Sequence, residues 1–190
     1  AAHGWAAFKL GDTTAYRLGR VTINPIKHID LIGTVILPLV MLALVNFVFG
    51  WAKPVPVNFR QLRHPRRDMG LVAIAGPTAN LLMMSFWAII VEIGQLTDET
   101  SILGQFLVQM GSAGIFINIV LMILNLIPIL PLDGGRVLHS LLPPNWAMQF
   151  SKLEPFGLVV LVILLFTGAL QILLMPVLLT YVIAGGSIEI

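Results

Sequence analysis

The chain has no cysteine and very little charge. Its 190 residues include eleven bases and nine acids, so charged residues make up 11% of the chain and hydrophobic residues 57%, with a mean hydropathy of +0.93. Without cysteine, disulfides, thiolate metal sites and cysteine nucleophiles are excluded. A soluble chain carries about 25% charged residues, so much of this surface must face lipid. The composition also argues against disorder, and a surplus of only two positive charges argues against a nucleic-acid partner.

Four stretches are long and apolar enough to reach across a bilayer, which takes about 20 helical residues. They cover residues 31–50, 70–91, 102–132 and 156–188. No base lies between residues 93 and 105 or after residue 156. Because bases accumulate on the cytoplasmic side, the pattern predicts that residues 70–91 run outward and residues 102–132 return. It also places the protein in the cell membrane, with its basic loops and active-site end facing the cytoplasm.

The stretch at residues 31–50 fits this topology poorly as a single crossing, because four bases precede it and five more come before residue 70. One crossing would leave one of these groups outside. A hairpin that enters the membrane and returns to the same side solves the conflict, and Gly33, Pro38, Asn46 and Gly50 suit such a break. A plain fourth helix with a weakly biased loop is the alternative.

Two polar segments have strand-like patterns. Residues 13–17 and 20–25 alternate in polarity, and two prolines in residues 51–58 favour an extended edge segment over a helix. Residues 60–68 read as a basic surface loop suited to anionic headgroups. The predicted fold is therefore an all-α polytopic membrane protein with three transmembrane helices, a re-entrant apolar hairpin and short β segments, all in one domain over residues 1–190.

Asp133 is the strongest candidate for chemistry, because an ionisable residue in a membrane span is costly. Two prolines, Pro128 and Pro131, must break the helix before it, and Gly134 and Gly135 allow a tight turn and close approach. A carboxylate on broken backbone can be a metal ligand or a proton-handling group. Alternatively, Asp133 ends a helix and pairs with Arg136.

Several motifs together resemble segments of the site-2 protease family, specifically its compact prokaryotic branch. Residues 1–12 look like the last turns of a helix that carries the end of a His-Glu-x-x-His motif, with His3 as its second histidine. Further similar segments are residues 20–25, 49–58, 75–80 and 125–135. They occur in the family's order and span most of the chain.

The resemblance implies a zinc metalloprotease in which His3 and Asp133 bind Zn²⁺. Histidines four residues apart share one helical face and can hold one zinc, with the intervening glutamate as general base. The first histidine and that glutamate have no counterpart in these 190 residues. Since Ala1 falls inside the motif, we expect the chain to be a fragment whose parent has at least one more N-terminal helix.

Two asparagines complete the candidate site. Asn80 follows Gly76-Pro77, and its amide could hydrogen-bond a developing oxyanion or a substrate carbonyl; the alternative is a hydrogen bond that fastens two helices. Asn125 precedes the proline-rich segment before Asp133, where it could orient that carboxylate. An interhelical role is open for Asn125 too.

The resemblance thus implies a zinc-dependent intramembrane endopeptidase that hydrolyses peptide bonds in or near transmembrane segments of other membrane proteins. Its partners would be those transmembrane substrates and the lipid bilayer, with no nucleic acid. The competing hypothesis is a catalytically inactive membrane scaffold or binding protein on the same fold, because the glutamate and the first histidine are absent from the chain.

Overall fold

A computed structural model describes residues 1–22, 24–45, 53, 55–97, 101–168 and 175. The chain divides into two compact units, Ala1–Val72 (the first unit) and Ala73–Ile190 (the second unit). The α-helices are α1 (Ala2–Lys9), α2 (Thr14–Arg17), α3 (Leu37–Val45), α4 (Pro65–Gln95), α5 (Ile102–Leu126), α6 (Asp133–Leu141), α7 (Pro144–Ser151) and α8 (Glu154–Phe166). Short 3₁₀ turns cover Pro25–His28 and Phe59–Gln61, and a π-helical turn at Leu31–Ile36 leads into α3.

Both short helices of the first unit end on a glycine with positive φ. Gly11 follows α1 at φ +115°, and Gly19 follows α2 at φ +64°. After α1, the Asp12 N–H donates to the Ala7 carbonyl at 2.9 Å; after α2, the Arg20 N–H donates to the Ala15 carbonyl at 2.9 Å. This is the Schellman pattern, in which glycine closes the helix and its last carbonyls find donors. The predicted helix end near Lys9 and Gly11 is confirmed.

The predicted β segments are wrong in the described part of the chain, which contains no strand. Residues 14–17 form α2, because the Asp12 carboxylate accepts a hydrogen bond from the Thr14 N–H at 2.9 Å and starts the helix. Within residues 20–25, a 3₁₀ turn begins at Pro25, whose N–H-free ring suits a first helical position. Residues 55–58 form no regular element, and Ile23, Trp51, Ala52 and Pro54 lie outside the described residues.

The segment at residues 60–68 is a loop only in its first half, because α4 begins at Pro65. Asp68 is 3% exposed, and its carboxylate accepts the His64 N–H at 2.8 Å. This contact satisfies a donor at the helix start, and a negative charge is favourable in the first turn. Because α4 begins at Pro65, Arg66 and Arg67 belong to the helix and not to the loop, and both are exposed.

Within the described ranges, two helices are long and apolar enough to cross a membrane, α4 and α5. Their most apolar windows are only 6% and 11% buried, so their surfaces are apolar on the outside, as lipid contact requires. A third span arises if Pro144–Ser151 and Glu154–Leu164, which are bent by 50°, count as one broken crossing. Three separate continuous spans are thus not what the described residues contain.

One predicted stretch is shorter as a helix than its sequence suggested. Residues 102–132 give a helix only to Leu126, since Pro128 and Pro131 cannot continue it. Of residues 31–50, the described part ends at Val45 and consists of the π-helical turn and α3. Asn46 and Gly50, where the re-entrant hairpin was placed, lie outside the described residues, as does most of residues 169–190.

Helices α4 and α5 pack as an antiparallel pair in the second unit, with glycines at the contact. A Cβ at Gly111 would lie 3.1 Å from the Trp87 carbonyl oxygen, and one at Gly94 would lie 3.0 Å from the Gly104 carbonyl oxygen. The indole of Trp87 lies directly against Gly114. Small residues at these positions let the two backbones approach closely, which is how helices associate in lipid. Ser101 caps α5 by accepting the Gly104 N–H.

Candidate metal centre

The His3 ring makes a hydrogen bond to a distant backbone carbonyl of the first unit. Its ring Nδ1 lies 2.9 Å from the Val72 carbonyl oxygen. A carbonyl can only accept, so Nδ1 carries the proton and, in the neutral ring, Nε2 carries the lone pair. Metal-binding histidines usually show this arrangement, in which a backbone carbonyl fixes the tautomer and the orientation of the ring. That His3 belongs to a metal site stays a prediction.

The residue after His3 must be small. Gly4 is buried, and a Cβ there would lie 2.8 Å from Val55 Cγ1 and 3.1 Å from the Ala15 methyl group. This close packing holds α1 against α2 and against the segment at residues 55–58. The position of the His3 ring is therefore fixed on two sides, by the Val72 carbonyl and by the packing of its own helix.

Asp12 is an important residue that the sequence analysis did not identify. It is fully buried, with Oδ1 accepting the Thr14 N–H at 2.9 Å and Oδ2 accepting the Asn58 N–H at 2.6 Å. Burial by itself raises the pKa of this carboxyl, but the hydrogen bonds from Thr14 and Asn58 outweigh it and hold the pKa below its usual value of 3.8. The ionised side chain thereby joins the end of α1 to residues 55–58. The local sequence Gly-Asp-Thr-Thr, an Asx-turn pattern, was the available signal.

Asp133 is the first residue of α6 in the second unit. The predicted break before it is confirmed: α5 ends at Leu126, and residues 127–132 form a turn that includes a cis Leu130–Pro131 bond. The alternative that placed Asp133 at a helix C-terminus is wrong, since it lies at an N-terminus, where a carboxylate is favoured. Arg136 Nη2 lies 3.5 Å from Oε1 of Glu154, the first residue of α8.

The glycines after Asp133 are buried and packed against the turn that precedes them. A Cβ at Gly134 would overlap the Leu126 carbonyl, and one at Gly135 would overlap the backbone of Ile129 and Leu130. The predicted close approach is therefore real, and the approaching element is the broken end of α5 itself. This packing fixes where the Asp133 backbone sits at the start of α6.

Asn80 and Asn125 also lie in the second unit, both partly buried. Asn80 is inside α4, one turn after Pro77, and a proline there cannot donate to the carbonyl of Ala73. Asn125 is in the last turn of α5, just before the break. The proposed roles of these two amides stay predictions.

The donor types fit zinc, which takes imidazole nitrogen and carboxylate oxygen. His3 offers a ring in the tautomer of a metal ligand, and Asp133 offers a carboxylate at the start of a helix. Within the described residues, however, no group of three or more histidines and acids is arranged to hold a metal ion. His3 lies in the first unit and Asp133 in the second, and their role as zinc ligands stays a prediction.

Comparison with known proteins gives a consistent set of relatives. The chain is 37% identical over 179 residues to "Putative zinc metalloprotease YwhC" of Bacillus subtilis, covering 93% of this chain and 78% of that protein. It is 28% identical over 178 residues to "Putative zinc metalloprotease Rip2" of Mycolicibacterium smegmatis, and 27% identical over 173 residues to Rip2 of Mycobacterium tuberculosis. In both cases the aligned region covers 89% of this chain and 62% of the relative.

No family model and no solved structure matches the chain. The relationship rests on the sequence relatives, above all on YwhC, of which the chain covers more than three quarters. Together with the motifs around His3, Asn80 and Asp133, these relatives identify the chain as a member of the site-2 protease family.

Proposed function

We propose that this chain is the membrane-embedded part of a zinc-dependent intramembrane endopeptidase that cleaves transmembrane segments of other membrane proteins. The observation that carries the proposal is the His3 ring, which the Val72 carbonyl holds in the tautomer of a metal ligand. The relatives named as zinc metalloproteases support the same chemistry. Two apolar helices of spanning length support a place in the membrane.

In this proposal His3 and Asp133 hold Zn²⁺. When bound, zinc lowers the pKa of water toward about 7 and polarises a peptide carbonyl. The Val72 carbonyl keeps the His3 ring oriented, and Asp133 lies at the N-terminus of α6, where a carboxylate is favourable. The general-base glutamate and the first histidine of the family motif have no counterpart among the 190 residues, so neither role is assigned here.

In this proposal Asn80 contacts the substrate, and Asn125 contacts the zinc ligand Asp133. The Asn80 amide donates a hydrogen bond to the carbonyl oxygen under attack, where negative charge develops. Asn125 orients the Asp133 carboxylate from the last turn of α5. The protein lies in the cell membrane, and its basic loops and active-site end face the cytoplasm, because bases accumulate on the cytoplasmic side.

The second candidate function is a catalytically inactive scaffold or binding protein on the same fold. The observation that favours it is that no group of three or more histidines and acids among the described residues is arranged to hold a metal ion. A scaffold of this kind would bind transmembrane segments without hydrolysing them. The two candidates therefore differ in cleavage and not in substrate binding.

Cleavage by the full-length protein in proteoliposomes separates them. The substrate is a single-span membrane protein labelled at both ends, and the variants are Asp133→Ala and, as the control acid, Glu154→Gln. We expect cleavage by the wild type and by Glu154→Gln, and loss of both cleavage and bound zinc in Asp133→Ala. Substrate binding without any cleavage by the wild type would support the scaffold, and full cleavage by Asp133→Ala would contradict the proposed ligand.

The role of Asn80 has its own test in the same assay. We expect Asn80→Ala to slow cleavage by about 100-fold, the usual cost of one oxyanion donor, while zinc content stays unchanged. The matched control is Asn118→Ala, because Asn118 Nδ2 donates to the Gly114 carbonyl of its own helix at 2.8 Å. Equal rates for Asn80→Ala and the wild type would leave Asn80 as a packing residue.

A further inference from the structure

A small cavity in the first unit combines three basic and three aliphatic side chains. Its volume is about 350 Å³, and its lining includes Arg20, Lys27 and Lys53 together with Leu18, Ile26 and Ile29. It is separate from His3, Asn80, Asn125 and Asp133, none of which lines it. The combination of fixed positive charge and exposed aliphatic surface is unusual for a purely structural feature.

The walls of this cavity are tied together by backbone and side-chain hydrogen bonds. The Arg20 guanidinium donates to the Lys27 carbonyl, and the Lys53 N–H donates to the His28 carbonyl at 2.8 Å. Gly19, the closing glycine of α2, lies beside the Lys27 side chain: a Cβ built on Gly19 would lie 3.9 Å from Lys27 Nζ, an ordinary contact distance. Three separate segments of the chain thus bring their bases to one place.

The acids of the first unit do not neutralise this charge. Its only acids are Asp12, Asp30 and Asp68, and each accepts a hydrogen bond from a backbone N–H. Among the described residues, neither Arg20, Lys27 nor Lys53 forms an ion pair. Within the part of the chain that the structure describes, no acid neutralises the charge of this cavity, and lysine and arginine in such a group suit a phosphate.

The aliphatic side chains indicate what carries the phosphate. Ile26 is 71% exposed and Leu18 is 61% exposed, while Ile29 lies two residues before the apolar helix Leu31–Ala43. A free phosphate makes no contact that would favour the aliphatic side chains, whereas a lipid has acyl chains directly below its headgroup that can pack against them. We propose that the cavity binds the headgroup of an anionic phospholipid, with the three bases on the phosphate and the three aliphatic side chains on the upper acyl chains.

Native mass spectrometry of the full-length protein in detergent tests this assignment, with phosphatidylglycerol and zwitterionic phosphatidylcholine as probes. The pocket variant is Lys27→Gln with Lys53→Gln; Arg20 is kept because it also holds the Lys27 carbonyl. The control is Arg60→Gln with Arg67→Gln, which removes the same charge from exposed positions outside the cavity. Wild type should prefer phosphatidylglycerol, and the pocket variant should lose about 30-fold in affinity for it.

The control variant should keep the wild-type affinity. If it weakens as much as the pocket variant, binding follows net charge and the cavity is not the site. Equal binding of phosphatidylcholine to the wild type would also overturn the proposal, as would full displacement of phosphatidylglycerol by millimolar inorganic phosphate. Circular dichroism checks that the double variant folds; if it does not, the single variants Lys27→Gln and Lys53→Gln replace it, each with an expected loss of about fivefold.

Discussion

The two units of this chain solve the problem of positioning in different ways. The first unit has nine bases and three acids in 72 residues, and it fixes its parts with hydrogen bonds from side chains to distant backbone groups. The Asp12 carboxylate joins residues 46 positions apart, and the His3 ring reaches a carbonyl 69 positions away. The positions of its segments relative to each other therefore depend on a few hydrogen bonds between residues that are far apart in sequence.

The second unit has only two bases and six acids, and close packing takes the place of polar contacts. Glycines on α5 and α6 lie against Trp87 and against the carbonyls of the broken segment before Asp133. In lipid, helices gain little from burying apolar surface against each other, so contact distance matters more than hydrophobicity. The comparison predicts that the first unit is sensitive to lost hydrogen bonds and the second to added volume.

Added volume at Gly134 should have the largest effect. In Gly134→Ala the new methyl group would overlap the Leu126 carbonyl, so α6 must shift away from the turn before it. We expect a loss of about 3 kcal/mol in stability, at the upper end for overpacking. The measurement is thermal unfolding of the full-length protein in detergent. Leu141→Ala, at a 74% exposed residue of the same helix, is the control and should change little.

Loss of the Asp12 carboxylate should rank next. Asp12→Ala leaves the Thr14 and Asn58 N–H groups without their acceptor in a buried place, for an expected cost of about 2 kcal/mol. Asp30→Ala is the comparison, because its carboxylate accepts only the Gly33 N–H at a helix start, worth about 1 kcal/mol. If Asp30→Ala lowers stability as much as Asp12→Ala does, the buried Asp12 carboxylate contributes no more to the first unit than an ordinary helix cap.

The same residue predicts how stability depends on pH. Since hydrogen bonds hold the folded-state pKa of Asp12 below 3.8, its contribution is fully present above that value and is lost as pH falls from there through the folded-state pKa. We expect the thermal midpoint of the wild type to drop in this acid window. In Asp12→Asn the drop should be smaller, and identical acid profiles for the two proteins would contradict the assignment.

The ion pair in the second unit should have the smallest effect. Arg136 and Glu154 are 3.5 Å apart, with side chains 26% and 44% exposed. Because exposed pairs contribute little, Glu154→Gln should change stability by about 0.5 kcal/mol or less in the same unfolding measurement. A cost as large as that of Asp12→Ala would mean that polar contacts matter equally in both units.

Local signals in the sequence were enough for two features of the second unit, the break before Asp133 and the two long apolar helices. The prolines at 128 and 131 and the glycines at 134 and 135 predicted the break before Asp133, because proline and glycine act on their own backbone. The prediction for residues 102–132 was too long only because hydropathy does not register where a proline ends a helix. Spans α4 and α5 follow from length and composition alone.

Much of the structure of the first unit could not be predicted from local sequence patterns. The alternating residues 13–17 suggested a strand, but a carboxylate two residues earlier starts a helix there. The contact between His3 and Val72 has no local signature, since nothing near either residue in sequence specifies the other. Sequence patterns therefore suggested the candidate ligands. The Val72 carbonyl that orients the His3 ring, and the Asp12 carboxylate that joins the end of α1 to residues 55–58, required the structure.

The zinc content of a His3 variant tests the central claim most directly. Full-length wild type, His3→Ala and His64→Ala would be purified from membranes and their zinc per polypeptide measured by mass spectrometry. His64 is the matched control, because its side chain is 73% exposed. We expect about one zinc per chain in the wild type and in His64→Ala, and almost none in His3→Ala. Zinc retained at the wild-type level in His3→Ala would contradict the account.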